Sequence, residues 1–381
     1  MHKAHQGHPD ARRRQGGGED GQEGQEGLGE AYQGRGLLEA DPPHHQGPGE
    51  ARRGAEVLRM VEMKIVPLAS ESLGVRSMAI YVETDDVGVL FDAGASLAPR
   101  FGLMPHPFEY RALKEARERI RAYSERAEVI TLSHYHFDHY TPTWDEPDGR
   151  WTWGSMEEAR AIYKGKLLLA KDRNRDINAS QRRRAYVFEK RITWLVEGLE
   201  YCDGKAYEFG GSRLVVSAPM PHGDEGSRLG FVLFFTLTDG NDTFMFCPDT
   251  QGPVSERAKR YILEVRPDFL AIGGPPIYLA PSKIPQEVVE KGLNNLKELA
   301  SEIGLMLVEH HMLRDERALE LVEELKRWAR SNGNEVSTYA EFLGRKDELL
   351  EARRQKLYEE HPPSDEFLIW AERRERSPPP L

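Results

Sequence analysis

The sequence predicts a four-layer αββα sandwich of the α/β (α+β) class, with two sheets face to face, helices outside, and a metal site at one rim of the sheets. Three observations predict it. Strand-like runs open the folded part as a meander before any helix; strands and helices then alternate in two β-rich halves, each finished by helices. Residues able to bind metal follow directly after strand patterns, so one edge of the sandwich collects them.

In chain order, residues 1 to about 60 contain no Ile, Phe, Trp, Ser, Thr or Asn and are dominated by Gly, Glu, Gln, Arg and His. Such a composition cannot bury a core. Residues 1–62 are expected to be a disordered or spurious N-terminal extension, with translation starting at Met63 or Met60. Strands are expected over 64–68, 78–83 and 87–91, and an amphipathic helix over 110–127. A strand at 129–132, a helix over 155–163 and a strand at 167–170 follow. Strands near Leu214, over 230–237 and 243–246 lead to a helix over 255–265 and a strand over 269–272. A helix over 285–303, a strand at 306–309, a helix over 315–331 and a final segment at 335–343 complete a domain spanning 63–344. Residues 345–381 read as a charged helix over 346–356 and a flexible, proline-rich tail.

The chemistry concentrates in Ser133-His134-Tyr135-His136-Phe137-Asp138-His139, which follows the apolar run Val129-Ile130-Thr131-Leu132. Neutral imidazole and carboxylate are ligands of Zn(II), Fe(II) and Mn(II), and polar groups this crowded would cost several kcal/mol to bury unpaired. In an extended loop His134 and His136 point the same way, toward one ion. Asp138 and His139, past a tight turn, face a second.

The pattern His134-X-His136-X-Asp138-His139 resembles the signature of the metallo-β-lactamase-fold hydrolases. That resemblance implies four further elements, and each has a counterpart. Asp92, in Phe91-Asp92-Ala93-Gly94, would orient the metal loop through hydrogen bonds. His222 would be the third ligand of the first ion, and Asp249 would bridge both ions. The last ligand would come from His310 or His311, of which only one is needed. Between Met63 and the C-terminal tail the chain has seven histidines, and six stand on these positions. The seventh, His106, lies in a Pro-flanked loop, where loop backbone or substrate could be its partner. From about Met63 to Glu360 the chain also resembles an uncharacterised archaeal family, UPF0282. The phrases that carry this are Glu71-Ser72-Leu73-Gly74-Val75-Arg76-Ser77-Met78-Ala79, the His106 loop, Asn178-Ala179-Ser180-Gln181, Pro221-His222-Gly223, Asp249-Thr250-Gln251-Gly252-Pro253 and His310-His311-Met312-Leu313-Arg314-Asp315. The resemblance leaves the substrate open.

The resemblance therefore implies a binuclear metallohydrolase whose nucleophile is a hydroxide bridging two divalent ions, with no side-chain nucleophile. The ion expected is Zn(II), with Fe(II) and Mn(II) also compatible. Asp138, orienting the hydroxide, and His222 are the candidate catalytic residues. The substrate expected is a small phosphoester or nucleotide-like anion. The alternative on the same site is a thioester, lactone or amide, for which Trp144, Trp151 and Trp153 would line an apolar pocket. Di-iron redox chemistry and a non-catalytic metal-binding role are weaker readings.

Composition limits the partners. The net charge of −11 argues against a surface that grips long nucleic acid as a whole. Lys166, Lys171, Arg173, Arg175, Arg182, Arg183, Arg184 and Lys190 form a local exception, either a solvated helix face or an anion-holding rim beside the metals. No apolar run approaches membrane-spanning length and no secretory signal opens the chain, so no membrane partner and a cytoplasmic location are expected. Both a monomer and a homo-oligomer stay open. Cys202 and Cys247 provide no disulfide framework, and Cys247 is expected to pack in the strand before Asp249.

Overall fold

The computed structural model describes residues 63–146, 150–373 and 377–381. The expectation for residues 1–62 lies outside the described residues.

The chain opens with β1 (Lys64–Pro67), β2 (Ile80–Glu83) and β3 (Gly88–Phe91), followed by α1 (Pro107–Ser124), β4 (Val129–Leu132), α2 (Met156–Tyr163), β5 (Leu167–Ala170), α3 (Ala179–Ile192) and β6 (Gly198–Tyr201). The second half holds β7 (Ala206–Phe209), β8 (Ser212–Val216), the short β9 (Met220–Pro221) and β10 (Phe231–Val232), then β11 (Phe235–Thr238) and β12 (Thr243–Cys247). After these come α4 (Glu256–Val265), β13 (Phe269–Gly273), α5 (Gln286–Glu302), β14 (Leu305–Glu309), α6 (Ala318–Ser331), β15 (Glu335–Ser337) and α7 (Tyr339–Phe342). The last helices are α8 (Arg354–Glu360) and α9 (Asp365–Glu372).

One sheet runs β1-β2-β3-β4-β5-β6 and the other β15-β14-β13-β12-β11-β8-β7, and β9 pairs with β10. Each large sheet is antiparallel at its meander side and parallel at the other: β3 to β6 in the first, β12 to β15 in the second. Parallel strands are covered on both faces, which is why Val129-Ile130-Thr131-Leu132 and Met306-Leu307-Val308 are continuously buried.

Strand alternation sorts the side chains into three cores. Ile80, Val82, Val89 and Phe91 of the first sheet meet Phe235, Leu237, Phe244 and Phe246 of the second in the layer between the sheets. The Phe91 ring lies 5.4 Å from that of Phe244 and 5.5 Å from that of Phe246. Tyr81, Leu90, Ile130 and Leu168 point outward against Leu113, Ile120, Ile162 and Phe188 of α1 to α3. Met245, Cys247, Leu270 and Met306 point outward against α4, α5 and α6 through residues such as Ile262, Leu296 and Leu325. The order helix, sheet, sheet, helix is therefore the expected four-layer sandwich.

Several boundaries differ from the sequence reading. The first helix begins at Pro107 rather than residue 110, because His106 caps it: its ring accepts from the Phe108 amide at 3.2 Å, and its Nε2 meets the His361 carbonyl at 2.8 Å. That assigns His106 to loop backbone rather than to substrate. The run 230–237 is two strands, broken where the Leu233 amide donates to the Ser133 carbonyl and the Phe234 amide to Ser217 Oγ. The charged helix expected over 346–356 begins only at Arg354, since Leu349 and Leu350 are drawn into the core. The tail, expected to be flexible, carries α9, capped by Ser364 and anchored by buried Phe367 and Trp370.

Candidate metal centre

At the carboxyl ends of β3, β12 and β14 the chain turns through a left-handed residue that is not glycine: Asp92 (φ 51°), Asp249 (φ 50°) and His310 (φ 69°). Left-handed backbone costs a β-carbon-bearing residue on the order of 1 kcal/mol or more. The structure carries this cost three times at one rim, and the three side chains converge there.

Asp249 is the hub. Its Oδ2 lies 2.9 Å from His134 Nε2, 3.8 Å from His136 Nδ1, 3.2 Å from His139 Nε2 and 3.1 Å from His222 Nε2. Its Oδ1 lies 2.8 Å from His310 Nε2 and 3.1 Å from His311 Nε2. Asp138 Oδ2 is 3.7 Å from His310 Nε2. All the sequence-predicted site residues thus meet at one rim. Among the described residues four combinations have ligand atoms close enough to share an ion: His134, His136, His222 and Asp249; Asp92, His134 and His139; Asp138, His139 and His310; and Asp249, His310 and His311.

A layer of buried partners fixes these rings. Asp92 accepts from the Ser133 amide at 2.8 Å and from Ser133 Oγ, and its Oδ2 lies 2.7 Å from His139 Nδ1. Gly94 lets the metal loop approach, since a β-carbon at this position would collide with the backbone of His139 and Tyr140. Glu71 Oε1 sits 3.1 Å from His310 Nδ1 and accepts from Arg314 Nε at 2.7 Å, while Arg314 Nη2 donates to Asp138 Oδ2 at 3.2 Å. Arg314 Nη1 and Tyr278 Oη reach His311 Nδ1 at 3.1 and 3.3 Å. On the opposite flank Gln181 Nε2 is 3.4 Å from His136 Nε2.

Sequence reasoning assigned no role to Glu71, Gln181 or Arg314, although each stands in a phrase that carried the family resemblance. What distinguishes Glu71 and Arg314 is burial of a charge, at 3% exposure each. Elsewhere the basic interval divides. Lys171 is buried on Asp203 at 2.5 Å, Arg173 pairs with Glu189, and Arg184 stacks on Phe137, leaving Arg182, Arg183 and Lys190 exposed. Trp153 packs against the outer core of the first sheet and Trp144 meets Phe137 edge-on at 5.2 Å. Cys247 is buried in β12 and burial pushes its thiol up.

Carboxylates and imidazoles of the cluster hold one another in their charged forms. Burial disfavours ionised carboxylates, yet His310, His222 and His139 hold Asp249 well below the usual range, and His139, His310 and Arg314 do the same for Asp138. Burial likewise opposes the His139 cation, but Asp249 and Asp92 keep it well above an ordinary imidazole. Glu71 and Asp249 raise His310, against burial, to about 9. His134 is held low by burial and by His139 and His136, and His311 is pushed down to about 3 by burial, Arg314 and His310. His222 Nδ1 is buried without a hydrogen bond, and His139 Nε2, His222 Nε2 and Asp249 Oδ1 face only other groups of the cluster, an arrangement that a cation would complete. Imidazole and carboxylate donors suit divalent metal, so the residues fit the ions that the sequence implied.

No protein-family model matches the chain. Among curated proteins it is 43% identical over 300 residues to a UPF0282 protein of Pyrobaculum calidifontis, covering 78% of this chain and 96% of the relative. It is 41% identical over 298 residues to one of Thermococcus sibiricus (78% and 94%), and 40% over 297 residues to one of Methanocaldococcus jannaschii (77% and 96%). Solved structures give lower likeness. The metallo-beta-lactamase fold protein YhfI from Bacillus subtilis aligns over 72% of this chain and 95% of its own, at TM-score 0.40 and 14% identity. Unliganded yeast PDE1 aligns over 73% and 98%, at TM-score 0.45 and 14% identity. Among the described residues no helix is long and apolar enough to cross a membrane.

Proposed function

The chain belongs to the UPF0282 family, and from that premise we propose that it is a binuclear metallohydrolase acting on small phosphoesters or nucleotide-like anions. The observation that carries the reading is the division of one buried carboxylate between imidazole sets, four facing Asp249 Oδ2 and two facing Oδ1. Two divalent ions, Zn(II) by the abundance of imidazole, would supply an activated water and charge neutralisation at the reacting oxygen.

His134, His136 and His222 would hold the first ion, Asp138 and His139 would contribute to the second, and Asp249 would serve both. His310, rather than His311, completes the second set. Glu71 accepts the Nδ1 proton of His310, which leaves the Nε2 lone pair facing the site. At His311 the Nδ1 faces the donor-only Arg314 Nη1 and accepts, so its Nε2 carries the proton toward Asp249 Oδ1; at His310 Nδ1 the Arg314 Nη2 stands farther off, at 3.3 Å, than Glu71 Oε1 at 3.1 Å. Asp138, kept ionised beside Arg314, is the acceptor that orients water.

The phosphoester reading is supported by the cationic α3, whose first turn abuts His136 through Gln181. The test is elemental analysis of the full chain followed by phosphodiester and thioester assays on the same sample. Two equivalents of zinc with phosphodiester turnover are expected. His134→Ala with His136→Ala should remove metal and turnover together while cooperative unfolding persists. His310→Ala should drop to one equivalent and His311→Ala should keep two. Thioester turnover alone would replace the substrate class, and metal without any hydrolysis would end the enzymatic reading.

A further inference from the structure

We propose that the outer face of α3 is a track for a short single strand of nucleic acid leading to the metal rim, an inference that rests on the phosphoester reading and names its substrate class. The helix carries Arg182, Arg183, Arg184, Lys190 and Arg191 against a single acid, Glu189. That acid is turned inward and tied to the hydroxyls of Tyr135 and Tyr201 at 2.9 Å each. A chain of net charge −11 thus presents one helix whose solvent face has no carboxylate.

Charge alone would describe an ordinary solvated face, but large aromatic rings interrupt it. Tyr186 is 53% exposed and Trp194, just past the helix end, is 59% exposed. At 3.6 residues per turn, Arg183, Tyr186 and Lys190 fall on one stripe that Trp194 continues past the helix end, and Tyr186 and Trp194 border one depression. Each ring already carries a guanidinium, Arg173 at 5.4 Å from Tyr186 and Arg160 at 5.0 Å from Trp194. Adjoining depressions of about 480 Å³ and 400 Å³ lie along this stripe, sharing Tyr186 as their common wall. Cations spaced between exposed flat rings are what a single strand requires, phosphates meeting the cations and bases stacking on the rings.

The track also has a destination. The amino-terminal turn of α3 is fixed to the metal loop, with Gln181 beside His136 and Arg184 Nη1 donating to the Tyr135 carbonyl at 3.0 Å. A 14-residue helix is about 21 Å long. A strand lying on the stripe would therefore span a few nucleotides and deliver a phosphodiester to the rim.

The experiment uses the zinc-loaded full chain and fluorescence anisotropy with labelled oligo(dT) and oligo(U), against linear polyphosphate of matched charge. Expected are tighter binding to the oligonucleotides than to polyphosphate and a salt slope of about −0.7 per neutralised phosphate. Tyr186→Ala and Trp194→Ala should each lose roughly ten-fold in affinity. Arg183→Glu with Lys190→Glu should flatten the salt slope. Equal affinity for polyphosphate, or affinity untouched by either aromatic substitution, overturns the track. Self-association abolished by Trp194→Ala, with no oligonucleotide binding, would assign the face to a second copy instead and also overturn it. Turnover of bis(4-nitrophenyl) phosphate is followed on the same preparation. Turnover without strand binding sinks the track alone, and strand binding without turnover sinks the phosphoester reading alone.

Discussion

Two regions of this molecule bury charge, and they do so in opposite ways. Arg354 and Glu109 are fully buried, and the guanidinium makes bonds of 2.9, 3.1 and 2.6 Å to the carboxylate with another of 3.3 Å to the Leu103 carbonyl. At the rim, by contrast, six imidazoles crowd around the one carboxylate of Asp249, and more nitrogens converge on it than its two oxygens can pair. The first region is complete with the residues of the chain. The second has the donor set that divalent cations would complete. Buried charge alone therefore does not mark a site; buried charge left over after pairing does.

The comparison breaks most visibly at Asp249. Asp249→Asn should lose both ions and at least about a thousand-fold in kcat/KM, several kcal/mol of transition-state stabilisation, read by elemental analysis and phosphodiester turnover. Two retained equivalents of metal would abolish the distinction between the regions. Arg354→Met should do the reverse, costing about 3–5 kcal/mol in chemical denaturation because Glu109 is left buried and unpaired, with metal content unchanged.

A smaller effect sharpens the structural side. Against burial, Arg76 and its neighbours pull Glu351 down to about 2 from its ordinary 4.5, with bonds of 2.5 and 2.6 Å from Arg76. Between those values the unfolded chain binds a proton that the folded one does not, so stability rises with pH through this window. The contribution, about 3 kcal/mol, is fully present above pH 4.5 and is lost as pH falls toward 2. Urea titrations across that range should show the slope, and Glu351→Gln should reduce it without altering metal content, the remainder coming from Glu71, Asp138 and Asp249.

The sequence made the site legible to the extent that its signals are local. The alternation His134, His136 and the following Asp138 and His139 lie within one loop, and Asp92, Asp249 and His310 each end an apolar run that marks a strand. Glu71 and Arg314 were illegible as site residues because their partnership spans 243 positions. The proposed choice between His310 and His311 rests on which Nδ1 faces Glu71 and which faces Arg314, and Glu71 lies more than two hundred positions away. The same limit explains the C-terminal region, where charge suggested a solvated helix and tail. Its apolar residues Leu350, Leu357, Phe367 and Trp370 find their partners on the first sheet's helical layer, far away in sequence.

That distant closure bears on the order of events during synthesis. Arg354 grips a carboxylate made 245 residues earlier, and the His361 carbonyl receives the ring of His106 from the loop before α1. While the ribosome is still working through the second half, Glu109 has no guanidinium and the outer surface of α1 has no cover. The first layer of this protein to emerge is thus among the last to be finished, and it must wait for the final residues of the chain before it becomes native.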